Sequence, residues 1–141
     1  MVLLIDTNIL LDVLQERFPH FEASFRIWGL CEYDESVTGY ISSLSPMNVV
    51  YAMRKELTPE RTQEMFATLA FTFEFADLRM SDLSAAADMK WRDFEDAVQT
   101  ATASRIHADY IITRNTKDFQ DSPIPAITPE EYFINIFTPE Q

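Results

Sequence analysis

The chain opens on four apolar residues, Val2–Ile5, that stop at Asp6. From there the apolar positions Ile9, Leu10, Val13 and Leu14 follow helical spacing. A short unbroken apolar run is the pattern of a strand buried on both faces. Asp6, Thr7 and Asn8 are all good helix N-cap types, so the strand is expected to turn directly into a helix. That junction constrains the fold strongly, because parallel strands need long crossovers and a helix is the usual one.

The same alternation continues downstream. Pro19 suits the first turn of a second helix, with Phe21, Phe25, Ile27, Trp28 and Leu30 as its apolar positions. Val37–Ile41 reads as a second strand. Ser42 and Ser43 open a third helix with Pro46 in its first turn and Met47, Val50, Tyr51, Met53 and Leu57 as its stripe. Thr58 and Pro59 start a fourth helix through Met65, Phe66 and Leu69, and the alternating Phe71–Phe75 is a strand candidate. Ser81 or Ser84 opens a helix to Met89, and Asp93 to Ile106 is strongly helical. Tyr110–Thr113 reads as a short buried strand. Pro123–Ile127 holds one more, limited to an edge by Pro125, before Thr128 and Pro129 open a terminal helix. Strands alternating with helices predict a three-layer α/β/α fold with a central, mostly parallel sheet, in one domain spanning residues 1–141. Thr138–Gln141 are expected to fray.

Composition excludes several functions. With only Gly29 and Gly39, no Gly-rich phosphate loop can be built. No apolar run reaches the ~18 residues of a membrane span, so no membrane partner is expected. The apolar start lacks a basic flank and is expected to be a strand rather than a signal peptide. The single Cys31 cannot form an internal disulfide, and cytoplasm is the expected compartment. The net charge of −12 argues by itself against a nucleic-acid partner. It reads either as a solubility device or as acids gathered in a site that divalent cations neutralise.

Spacing favours the second reading. Active sites of parallel α/β sheets gather at the C-terminal strand ends. Asp6 stands at one such end, and Thr113, Arg114, Asn115 and Asp118 follow another. Asp93 and Asp96 share a face of the helix that feeds that second strand. Each acid alone has a plain structural reading: Asp6 and Asp93 as helix caps, Asp96 as a solvated helix residue, Asp118 as a turn residue. Together they form a constellation suited to Mg2+ or Mn2+, which take oxygen ligands and support phosphodiester hydrolysis. His20 and His107 do not resemble catalytic groups, and Cys31 reads as core, with nothing placed to activate it.

These residues carry a family resemblance. Leu4–Asp12 (LIDTNILLD) resembles the opening motif of the PIN domain, Asp93–Gln99 (DFEDAVQ) its third acidic motif and Asp109–Phe119 its fourth. Ile127–Phe133 is also similar to many bacterial members. The resemblance implies a Mg2+- or Mn2+-dependent endoribonuclease, similar to the toxins of VapBC toxin–antitoxin modules, with RNA as substrate, an antitoxin protein as partner and a homodimer as assembly. Carried onto this chain, it makes Asp6, Asp96 and Asp118 catalytic and metal-binding. Asn115, Thr113 and Asp93 are supporting residues, and Thr7 and Asn8 orient Asp6. Arg114 and Lys117 flank the site and are the expected RNA contacts; Arg54, Lys55, Lys90, Arg92 and Arg105 complete the basic candidates.

The chain departs from the family at the second acidic position, where Asn48 stands. An amide offers a carbonyl oxygen but neither a charge nor a base. The rival expectation is therefore a PIN-fold binding or adaptor module with weak or no nuclease activity. A phosphatase or DNA nuclease using the same metal chemistry is a third.

Overall fold

The structure is a computed structural model that describes residues 1–139 of the chain. Its elements run β1 (Val2–Ile5), α1 (Thr7–Leu14), α2 (Phe21–Tyr33), β2 (Thr38–Ser42), α3 (Ser45–Ala52), α4 (Pro59–Thr72) and β3 (Glu74–Ala76). They continue through α5 (Met80–Met89), α6 (Phe94–Arg105), β4 (Tyr110–Ile112), a 3-10 turn (Thr116–Phe119), β5 (Ala126–Ile127) and α7 (Pro129–Asn135). The five strands form one all-parallel sheet in the order β3-β2-β1-β4-β5. β1 is central. The chain builds outward from it through β2 and β3, then returns to its other side for β4 and β5. That reversal opens a crevice at the C-terminal ends of β1 and β4, where ligands bind in open α/β sheets.

Period-two alternation divides the core. Leu3 and Ile5 of β1 pack with Ile41, Ile112 and residues of α1, α2, α4 and α7, including Leu10, Ile27, Leu69 and Tyr132. Leu4 points the other way and packs with Ile111, Ala103 of α6 and Phe119. A third cluster joins α5 to α6 through Ala86, Ala97 and Val98. The sheet is thus covered on both faces, as an all-parallel sheet must be. Leu3, Leu4 and Ile5 are wholly buried, each contributing about 1.5–3 kcal/mol of transfer free energy. The α5–α6 pair is also tied by the nearly buried Asp82, which pairs with Arg105 Nε at 2.9 Å.

Several boundaries differ from expectation. Pro19 lies before α2, whose N-cap is His20. Ser42 belongs to β2, and α3 starts at Ser45; the Ser42 hydroxyl accepts the Leu44 N–H in the turn between them. The buried residues of α3 are Ser45 and Val49, followed by Met53 at its C-cap, whereas Met47 and Tyr51 are exposed. Phe71–Phe75 is strand only in its last two residues. Met65, Leu69 and Phe73, spaced four apart, put one buried helical stripe against Trp28, so α4 runs to Thr72 and the strand starts at Glu74. Packing of Phe73 overrides the local alternation, and Phe71 is left outside. α5 starts at Met80, before either candidate serine. Of the expected fraying segment, Glu140 and Gln141 lie outside the described residues. No helix among the described residues is long and apolar enough to cross a membrane.

Candidate functional site

Asp6 leaves β1 in extended conformation and caps α1. Its Oδ1 accepts the Thr7 N–H at 2.8 Å. Its Oδ2 accepts the Asn8 side-chain N–H at 3.2 Å and the Thr113 hydroxyl at 2.7 Å. Its own N–H donates to the Ile112 carbonyl across the crevice. Three donors therefore fix the carboxyl between the ends of β1 and β4. Burial raises its pKa above the ordinary carboxylate value, against the hydrogen bonds from Thr113 and Thr7, the nearby amide of Gln99 and the charge of Arg114. Thr7 also donates its hydroxyl to Ser45 Oγ at 3.0 Å, which links the starts of α1 and α3.

Asp96 lies in the first turn of α6, where the Asp93 carboxyl caps its N–H at 3.1 Å. Its pKa is pushed up to about 7. Desolvation is the main cause, followed by repulsion from Asp93, Asp6, Asp118 and Glu95. Four other carboxyls are thus close enough to act on Asp96 electrostatically. Asp118 is exposed in the 3-10 turn after β4, its N–H bonded to the Asn115 carbonyl. The Asn115 N–H in turn donates to Thr113 Oγ1 at 3.1 Å.

Glu95 escaped the sequence reading, which weighed only its neighbours at i, i+3. Asn48 donates from Nδ2 to Glu95 Oε1 at 2.6 Å, so this amide holds a carboxylate from α6. Burial, then the charges of Asp93 and Asp6, raise the Glu95 pKa; the Asn48 hydrogen bond opposes them. Gln99, one turn beyond Asp96 on α6, is a second omission, and a glutamine in a run of small residues was its only sequence signal.

Arg114, expected as an RNA contact, is only partly open to solvent, its side chain 24% exposed. It turns inward to the wholly buried Asp12, Nε to Oδ2 at 2.8 Å and Nη2 to Oδ1 at 3.1 Å; Ser24 donates to the same Oδ2 at 3.0 Å. The N–H groups committed to Asp12 cannot also grip a phosphate, though the guanidinium charge still acts on Asp6. Asp12 was read only as the end of the opening motif, although an acid amid the apolar positions of α1 signals a buried partner. Lys117 is exposed on the rim of a cavity beside Asp118. Cys31 is buried, with its thiol pushed up to about 12 by desolvation, as expected of a core residue.

The donor chemistry fits a hard cation. Carboxylates that repel one another gain by sharing a divalent ion, and two buried amide oxygens, Asn8 Oδ1 and Gln99 Oε1, have no hydrogen-bond partner. Among the described residues no three Asp, Glu, His or Cys side chains enclose an ion.

No curated protein matches the chain. Solved structures do. The VapBC2 complex of Rickettsia felis bound to a promoter DNA fragment aligns at a TM-score of 0.70 and 18% identity, covering 91% of this chain and 98% of that one. A toxin–antitoxin complex from Klebsiella pneumoniae aligns at 0.68 and 26% identity, covering 89% and 96%. VapC20 of Mycobacterium tuberculosis, a Sarcin-Ricin loop cleaving toxin, aligns at 0.62 and 11% identity, covering 77% and 86%. The PIN domain family profile matches residues 2–117, most of the chain and both strand ends at which the acids gather. The chain belongs to the PIN domain family.

Proposed function

We propose that this PIN-domain protein is a Mg2+- or Mn2+-dependent endoribonuclease that serves as the toxin of a toxin–antitoxin pair. The observation that carries the reading is the gathering of Asp6, Asp93, Glu95, Asp96 and Asp118 at the sheet's switch point, where burial first and then repulsion from the other four carboxyls raise the Asp96 pKa. Such mutual repulsion is costly without a cation and useful with one. Membership of the family and likeness to toxin–antitoxin complexes, one of them 26% identical, support the biological role. An antitoxin partner, a cytoplasmic location and a homodimer belong to the same proposal.

Asp6 and Asp96 would hold the cation directly, with Glu95 and Asp118 acting on its waters. A divalent ion there supplies Lewis acidity toward a phosphate oxygen and lowers the pKa of water. The protein's own contribution is orientation. Thr7, Asn8 and Thr113 fix both oxygens of Asp6, so little reorganisation remains when charge develops at the phosphate. Asn48 holds Glu95 toward the acids, which restores a carboxylate where the family's second acid is replaced. This contact favours the nuclease over the adaptor reading.

The test is cleavage of structured and unstructured RNA by metal-stripped protein, with and without Mn2+. Cleavage should require Mn2+ and vanish in Asp6→Asn and Asp96→Asn. Identical behaviour of the wild type and both variants would refute the enzyme.

A further inference from the structure

Between the end of α5, the start of α6 and the 3-10 turn lies a cavity of about 920 Å3, within the size range of small-molecule sites. We propose that this cavity is a subsite for single-stranded RNA, seating an unpaired base against Phe94 and Trp91 and its flanking phosphates on Lys90, Arg92 and Lys117. The inference rests on the ribonuclease reading and names where its substrate strand is gripped.

Three observations carry it. First, Lys90, Arg92 and Lys117 line the cavity and are exposed, and among the described residues none of them is in an ion pair. By contrast, Arg79, Arg105 and Arg114 are spent on Asp77, Asp82 and Asp12. Asp93, Asp118 and Asp121 also line the cavity, so its six formal charges balance in a chain of net charge −12. A polyanion is repelled less here than by the protein's average surface.

Second, the cavity carries aromatic surface. Phe94 opens α6 and is 49% exposed. Trp91 is partly buried and held edge-on to Phe119, ring centroids 6.2 Å apart, so its position is fixed by the core. Lys90, at φ 58°, turns the chain sharply out of α5 and sets Trp91 and Arg92 at the corner. Aromatic faces beside cations suit unpaired bases, whose stacking tolerates sequence, and are of no use to a base already paired in a duplex.

Third, the cavity adjoins the acids. Asp93 and Asp118 line it and are also two of the four carboxyls that act on Asp96. A strand held in the cavity therefore lies beside the proposed metal centre.

The test is anisotropy of a fluorescein-labelled, unstructured RNA oligonucleotide over a salt series, with Ca2+ replacing Mn2+. Phe94→Ala should weaken binding about tenfold, within the range for loss of one base stack. Phe94→Leu, which keeps an apolar side chain at the helix start, should do the same if stacking matters. Arg92→Gln with Lys117→Gln should flatten the log–log salt slope by about 0.7 for each phosphate no longer neutralised. Arg61→Gln on α4 should change neither quantity. Wild-type affinity and slope in all the cavity variants would overturn the subsite, and so would a wild type that binds no RNA. If those variants lost only a protein partner and kept RNA, the cavity would belong to that partner and the proposal would fall. Mn2+-dependent cleavage measured alongside separates the two readings. Cleavage with unaltered RNA binding in the cavity variants removes the subsite alone, whereas binding through the cavity without cleavage removes the nuclease alone.

Discussion

The side-chain amide of Asn48 donates to Glu95 Oε1 at 2.6 Å, joining α3 to the first turn of α6. A residue that cannot carry charge thereby directs one that can. If Glu95 acts on the proposed cation, Asn48 is its positioning residue. Partners that orient a metal ligand from outside are typically worth about 10–100-fold in metal affinity. Asn48→Ala should therefore weaken Mn2+ binding about tenfold in calorimetric titration, and Glu95→Gln should weaken it comparably. The double variant should lose little more than either single one, because both remove the same interaction. Additive losses would mean that the two residues act separately.

Asp96 also makes stability depend on pH. Its folded-state pKa of about 7 lies above the ordinary value of 3.8, so the folded protein retains a proton that the unfolded chain releases. The resulting stabilisation is complete below about pH 4 and is lost as pH rises to about 7. The raised pKa values of Asp6 and Glu95 act in the same direction. The lowered ones of Asp34, Asp77 and Asp82 act oppositely, at pH values below those carboxyls' ordinary range. Metal-free protein should thus show a melting temperature that falls between about pH 4 and 7 in calorimetry. Asp96→Asn should flatten that fall, and Mn2+ should raise the melting temperature more at the alkaline end of this window than at the acid end.

The alternation of strands and helices was legible because the strands are short and apolar and the helices open on capping residues: Asp6, Thr58 and Thr128 all act as helix caps. Asp6 and Asp96 could be placed from the same pattern, since strand ends and helix faces follow from periodicity. Glu95 could not. Its role depends on a contact 47 residues away in sequence, made by an amide that sequence reasoning treated as a missing acid. The pairing of Arg114 was hidden for a related reason. Its position after β4 suggested an open site, but the buried charge of Asp12 draws it inward. The Phe71–Phe75 alternation set the strand's start three residues early because Phe73 serves a helical stripe set by Met65 and Leu69, which only the packing of α4 on α2 reveals.

Gly39 in β2 permits the close approach of α2. A Cβ added there would stand 2.5 Å from Cys31 Sγ, 2.9 Å from Cys31 Cβ and 3.1 Å from a Phe73 ring carbon. Cys31 is buried and Phe73 is pinned by Trp28, so neither can move aside freely. Gly39→Ala should cost about 1–3 kcal/mol in urea denaturation, the usual range for overpacking. Cys31→Ala should recover part of that loss when combined with it, because the sulfur is the nearest obstacle.

The Asp12–Arg114 pair makes a sharper claim about the site's architecture. Asp12 has no exposed surface, and Arg114 and Ser24 are its side-chain partners, whereas the Arg114 side chain retains 24% exposure. Removing either residue strands a charge, but unequally. Arg114→Ala leaves a buried carboxylate with one hydroxyl, and should cost about 3–5 kcal/mol. Asp12→Ala leaves a guanidinium that can reach toward water and should cost less. The double variant Asp12→Leu with Arg114→Leu should be more stable than Arg114→Ala, since replacing a buried pair by apolar groups is often neutral. Mn2+ affinity offers a second readout. Arg114 lies on the loop after Thr113, which donates to Asp6, and its charge opposes the elevation of the Asp6 pKa. If its role is confined to anchoring that loop, Arg114→Lys should keep Mn2+ affinity near wild type while losing stability, because an ammonium cannot reproduce the two-point grip. A large loss of Mn2+ affinity in a folded Arg114→Lys protein would instead show that the guanidinium geometry itself organises the acidic site.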